Sequence, residues 1–251
     1  MNAHLLASGA ALIVCSLVAV FPAAAEPLSD LRAVLQRYPA KTPLVATASV
    51  RVNSESDDVG AVRDGAANFD VEAGPVGMQL RVLPATLAAA QNEATSKKRD
   101  PNSRTPTRTA MVALTVFDVM DALDIASMLL NELDGATLIK ATAVTHAGKR
   151  ATLLHVKVKP TLAGTSSKYV NEPKIELRIW VGSDGLPIAA ERDSNYSASF
   201  LFLKAANVRK EHWEVAAAGD RLYASRADQS NRATAAGKKI ASSHSVSYAP
   251  K

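Results

Sequence analysis

The side chains able to do chemistry in this sequence are few and dispersed. Beyond residue 25 the histidines are His146, His155, His212 and His244. A metal site needs ligands brought to one point, and helical or hairpin spacings do this locally. No two of these four lie at such a spacing. His146 falls in an expected turn and the others on separate expected strands, so no metal is expected. The acid–base alternative is a hydrolase with a dispersed site, in which His155 or His212 takes the proton. Asp118, Asp121, Asp124 and Asp134 recur along one helical stretch. They read as helix caps and solvent-facing carboxylates rather than an acid/base pair. The chain has no G-x-S-x-G elbow, no H-E-x-x-H, no phosphate-binding P-loop and no dinucleotide-binding glycine motif. The one cysteine, Cys15, lies in the N-terminal apolar segment, so no thiolate chemistry or disulfide is expected of the rest. The expectation is a protein that is not an enzyme and carries no cofactor.

The remaining candidate site is apolar. Val116, Val119, Met120, Leu123, Ala126 and Leu130 recur at helical spacing, and Phe117, Ile125, Met128, Leu129 and Leu133 widen the stripe. A helix apolar over so much of its circumference is buried on more than one side. It reads as one helix over 116–133, or as two short helices capped by Asp118 or Asp124, closed by Gly135. Val116, Met120, Leu123 and Leu130 are the candidate lining for an apolar ligand. The plainer reading of the same residues is a packing face.

The elements that must position this stripe are mostly strands. In 174–181, Ile175, Leu177, Ile179 and Val181 alternate with Glu176, Arg178 and Trp180. That is the period of a strand with one buried face. Asp184-Gly185 turns it back into 186–192. Similar alternation marks 45–52, 69–73, 78–82, 138–144, 152–158 and 239–248. Residues 211–217 and 221–225 pair across Gly219-Asp220, and 197–204 is a further strand. Helices are expected over 27–38, where Leu28, Leu31, Leu35 and Tyr38 form a stripe, and over 84–95. Residues 53–64, 160–173 and 228–237 read as polar loops. Residues 96–109 hold Lys97, Lys98, Arg99, Arg104 and Arg108 among small polar residues and prolines. This segment reads as a mobile basic connector, with a headgroup or partner contact as the functional alternative.

The first 25 residues predict export. An apolar run over 5–21 precedes Ala23-Ala24-Ala25, the pattern of a signal peptide cut after Ala25. An uncleaved anchor is the alternative. Cleavage leaves one β-rich domain over 26–251, periplasmic or secreted. The formal net charge of +5 belongs wholly to that part. Its basic residues are scattered and aromatics are only 5%, which argues against nucleic-acid binding. Membrane contact is expected to be peripheral at most.

A leading helix, a β-meander, an internal apolar helix and late long hairpins with Trp180 and Asp184-Gly185-Leu186-Pro187 resemble the periplasmic lipoprotein-carrier superfamily. The resemblance implies an α+β fold: a curved antiparallel sheet, or half-open β-barrel, with helices on its concave face. It implies a lipid or acyl-chain ligand and carries over no individual site residue. The alternative is an envelope protein-interaction module that uses a sheet edge or the basic segment.

Overall fold

The computed structural model describes residues 26–56, 63–160, 170–200, 203–235 and 237–251. The expected signal segment, most of the 160–173 loop and the middle of the 53–64 loop lie outside the described residues. The protein is α+β. Its helices are α1 (Pro27–Leu35), α2 (Pro84–Arg99), α3 (Pro106–Ala113), α4 (Val116–Leu123) and α5 (Ile125–Leu133). Its strands are β1 (Leu44–Ser56), β2 (Arg63–Gly74), β3 (Gly77–Val82), β4 (Thr137–His146), β5 (Lys149–Val158), β6 (Val170–Gly182), β7 (Pro187–Phe200), β8 (Leu203–Ala218), β9 (Arg221–Ala235) and β10 (Lys238–Pro250).

The strands form one open antiparallel sheet of ten, in the order β3-β2-β1-β10-β9-β8-β7-β6-β5-β4. It is not closed into a barrel. Every neighbour is a hairpin neighbour in sequence except one. At the β1–β10 seam, Ala46 faces Pro250 and Val52 faces His244. The chain therefore lays down β1–β3, crosses through the helices α2–α5, and returns by a seven-stranded meander to the open side of β1.

One face of the sheet meets the helices. Ala46, Ala48, Val50 and Val52 of β1 share that face with Phe69 and Val71 of β2, Leu154 and Val156 of β5, Leu177 and Ile179 of β6, and Val246 and Tyr248 of β10. They join Leu28, Leu31 and Leu35 of α1 and Val119, Leu123, Leu129 and Leu133 of α4 and α5 in one core. The apolar stripe over 116–133 breaks into two helices at Asp124, whose carboxylate accepts from Ser127 N–H. Thr115 and Asp118 cap α4 reciprocally: the Thr115 hydroxyl accepts from Asp118 N–H, and the Asp118 carboxylate accepts from Thr115 N–H.

Two expected loops are regular structure. The basic connector over 96–109 is largely helical: α2 continues to Arg99, and α3 begins at Pro106. The Glu93 carboxylate explains the second start, because it accepts from the N–H groups of Thr107 and Arg108 at 2.8 and 3.0 Å. The 228–237 segment is strand through Ala235, paired with β8 and β10 on its two sides. Likewise 197–204 is no strand of its own. Phe200 ends β7 and Leu203 begins β8.

Candidate functional site

The sheet register sorts the side chains at its middle into two polar layers. On the helix side, the transverse row Val52, His244, Gln229, Glu211, Arg192, Leu177 runs across six strands. A second row beside it holds Ser54, Ser242, Asn231, Arg209 and Ser194. These polar positions continue the apolar face of the core, and α4 and α5 supply Asp118, Asp121 and Glu132 against them. Arg192 pairs with both Glu132 and Glu211 and lies over the Trp213 ring at 5.9 Å. Arg209 donates to Glu211 at 2.6 Å and to Gln229 at 2.8 Å, with Asp118 at 3.5 Å. Glu211 is 7% exposed, so this ion network is held in low dielectric.

Burial acts on the groups around the network. It lowers the pKa of His244 against the opposing pull of Asp118, and it raises that of Tyr248 well above the ordinary phenol value. Asp121 keeps an exposed edge, yet burial of its carboxyl outweighs the nearby Arg192 and raises its pKa. The Tyr248 hydroxyl and Arg209 Nε have no hydrogen-bond partner among the described residues.

Two clefts open onto this layer. One, of about 490 Å³, is lined among others by Phe117, Asp118, Asp121, Arg192, Arg209 and His244. The other, of about 580 Å³, is lined among others by Arg63, Lys97, Arg108, Thr109 and Val112. Both are bordered by Val52, Ala113 and Ser242, so they form one groove between the sheet and the α3–α4 segment. Volumes of this order suit small-molecule sites, which span roughly 300–1,000 Å³. Its outer wall carries exposed apolar side chains, Val112 at 84% and Phe117 at 75%, while Val116 and Met120 are exposed further along α4, outside the groove lining.

Gly65 of β2 seats that wall. A Cβ there would strike the Pro106 carbonyl oxygen and come within 2.8 Å of Ala110 N, so α3 lies directly on the strand backbone. At the other end, buried Arg221 donates to the carbonyls of Ala40, Thr42 and Ala73 and to Leu123 O at 3.0 Å, the last carbonyl of α4. Arg32 does the same for α5 through Leu133 O at 2.6 Å.

The four residues expected to line an apolar site are not brought together on one cavity. Leu123 is fully buried in the core, Leu130 packs on its edge, and Val116 and Met120 are exposed on the outer side of α4. The apolar stripe predicts burial on more than one side, but α4 turns Val116 and Met120 outward. Phe117, noted only as widening the stripe, lines the groove. Lys97 and Arg108 of the basic segment also border it, and Arg63 joins them from β2. The arginines 192 and 209 left no signal as a pair, because they meet only through the β7–β8 register.

The face without helices is polar throughout its middle. Its transverse row reads Arg51, Ser245, Asp228, His212, Glu191, Arg178, His155. Arg178 pairs with Glu191 and Asp193, and His155 Nε2 lies 2.9 Å from Glu176. A cleft of about 470 Å³ lies over this row. His155 and His212 stand three strand spacings apart, about 14 Å, while His244 is on the helix side and His146 stacks near Trp180 at 4.9 Å. The histidines do not converge. Among the described residues no group of three or more His, Cys, Asp or Glu side chains is arranged to hold a metal ion. No described helix is long and apolar enough to cross a membrane. No family model, curated protein or solved structure matches the chain.

Proposed function

We propose that this is a non-enzymatic exported protein that binds one amphiphilic lipid in the groove between its sheet and the α3–α4 segment. The observation that carries the reading is the groove itself, with a floor of ion-paired polar side chains and a wall of exposed Val112 and Phe117, flanked on α4 by exposed Val116 and Met120. Exposed apolar residues in such a cluster mark a surface that something covers. On this reading the sheet curves as a half-barrel with the helices on its concave side. The ligand space then lies beside α4 rather than beneath it, because Leu123 and Leu129 fill the core. Any membrane contact is peripheral.

The test is displacement of a fluorescent fatty acid by unlabelled lipid, together with native mass spectrometry of protein purified from the periplasm. Displaceable binding with one lipid per chain is expected. No retained and no bound lipid would sink the reading. The same apolar wall favours a second reading, an envelope interaction module that docks a protein through α3 and α4. In that case crosslinks from Met120 and Phe117 positions reach one protein partner and persist after delipidation.

A further inference from the structure

We infer that the lipid bound in this groove carries an anionic head, a carboxylate or a phosphate, held at the α2–α3 end by Arg63, Lys97 and Arg108. The inference rests on the groove being a lipid site and adds which end holds the head and what charge it bears. The cleft at that end is lined by three cations and no carboxylate; its other polar side chains are the hydroxyls of Ser54, Thr105, Thr109 and Ser242. Like charges gathered at one cleft repel unless a counter-charge joins them.

The acids that would supply it locally are committed elsewhere. Asp64, beside Arg63, pairs with Arg104. Glu93, the carboxylate facing Arg108, spends its oxygens on the α3 N-terminus. Arg63 has no ion pair among the described residues, and the Lys97 ammonium donates only to Ser103 O at 3.2 Å. The α3 N-terminus is not itself the anion site, since Glu93 fills it.

The far end of the groove has no such cationic excess. There the lining sets Asp118 and Asp121 against Arg192 and Arg209, and both guanidiniums are already held by Glu132 or Glu211, so no cation at that end is left for an anionic head. Between the two ends lie Val52, Val112 and Ala113, with Phe117 beyond them. The gradient therefore orients an amphiphile: head among the three cations, chain along the apolar wall.

The experiment compares four probes of one chain length on the full protein: palmitate, hexadecylphosphate, hexadecanol and hexadecyltrimethylammonium. Inorganic phosphate and anionic phospholipid vesicles are run beside them. Palmitate and hexadecylphosphate are expected to bind at least about tenfold more tightly than hexadecanol, and more weakly as salt is raised. Arg63→Gln with Arg108→Gln, both at exposed positions, is expected to remove that preference. Four equal affinities would overturn the anionic head and leave the lipid groove standing. Failure of every chain-bearing probe would overturn the lipid groove itself. Inorganic phosphate binding as tightly as hexadecylphosphate, or binding to vesicles with none to monomeric lipid, would also overturn the inference, in favour of a bare anion site or a membrane-docking face.

Discussion

At the scale of single residues, one buried and one half-buried polar side chain set how the molecule responds to change. Arg221 is 3% exposed and, among the described residues, has no carboxylate partner; its guanidinium is satisfied by main-chain carbonyls from the segment before β1, from β2 and from α4. Lysine offers neither the planar fork nor the reach to several carbonyls at once. Arg221→Met is expected to cost at least about 3 kcal/mol, because several carbonyls lose their donor together and each costs roughly 1–3. Urea unfolding measures it, and a loss below about 1 kcal/mol would mean the carbonyls find other donors. His244 sets the response to acid. Its pKa is lowered by burial, so the unfolded chain binds the proton more readily than the folded one. Its contribution to stability is whole above the unfolded value of 6.5 and declines as pH falls below it toward the folded pKa. Asp121 works the other way: its raised pKa makes the folded chain bind protons more readily, so stability declines as pH rises above 3.8 toward the folded pKa. His244→Gln is therefore expected to flatten the acid-side loss that sets in below about pH 6.5. Denaturation at a series of pH values checks this, and parallel curves for both proteins would refute it.

At the scale of elements, α3 depends on Gly65 more than on its own sequence. Any side chain at that position meets the helix backbone rather than a movable side-chain tip. Gly65→Ala is expected to lift α3 from β2, destabilise the protein by roughly 1–3 kcal/mol as overpacking does, and open the groove wall. Loss of protection in 106–113 by hydrogen exchange would show it; unchanged protection would mean the helix slides without cost. This scale also shows what was legible in the sequence. Strands β1, β2, β5 and β6 were legible because one face is apolar and the other wet, as in Leu177 and Ile179 against Glu176 and Arg178. The middle of β9 was not, since residues such as Asp228, Gln229, Ser230 and Asn231 face polar surroundings on both sides. There the ladder bonds of β8 and β10 make the strand, and no hydrophobic period records them. The helix over 106–113 was hidden for another reason. Its start is completed by Glu93, 13 residues before Pro106, while Thr105 at the N-cap makes no side-chain capping bond, so the Thr105-Pro106 pair within the basic segment does not stand out. The apolar stripe over 116–133 announced burial but not its direction. Hence Leu123 lies in the core while Met120 faces outward. The groove itself was illegible as a site, because Arg63, Lys97, Arg108, Arg192 and Arg209 meet only once the strands are in register.

At the scale of the whole molecule, the β1–β10 seam governs when the sheet can exist. All other strand pairs form between hairpin neighbours. The seam instead joins Val45 to Lys251 through a main-chain bond of 3.0 Å, across nearly the whole length of the chain. Closing so long a loop costs chain entropy before any contact rewards it, which slows folding. Linking residue 251 to residue 26 and reopening the chain in the exposed turn near 101 would turn every strand pair into a near neighbour. Such a permutant is expected to keep its stability within about 1 kcal/mol and to refold faster in stopped-flow experiments. An unchanged rate would place the slow step elsewhere. For a chain that emerges from its N-terminus, the order of arrival matters as well. β1 to β3 come first, with Ala46, Ala48, Val50 and Val52 ready to be covered, but the partner of β1 comes last. Until β10 arrives, β1 is a long unpaired edge of the kind that invites the wrong strand. The topology therefore keeps the molecule's longest-range seam open until its final strand is delivered.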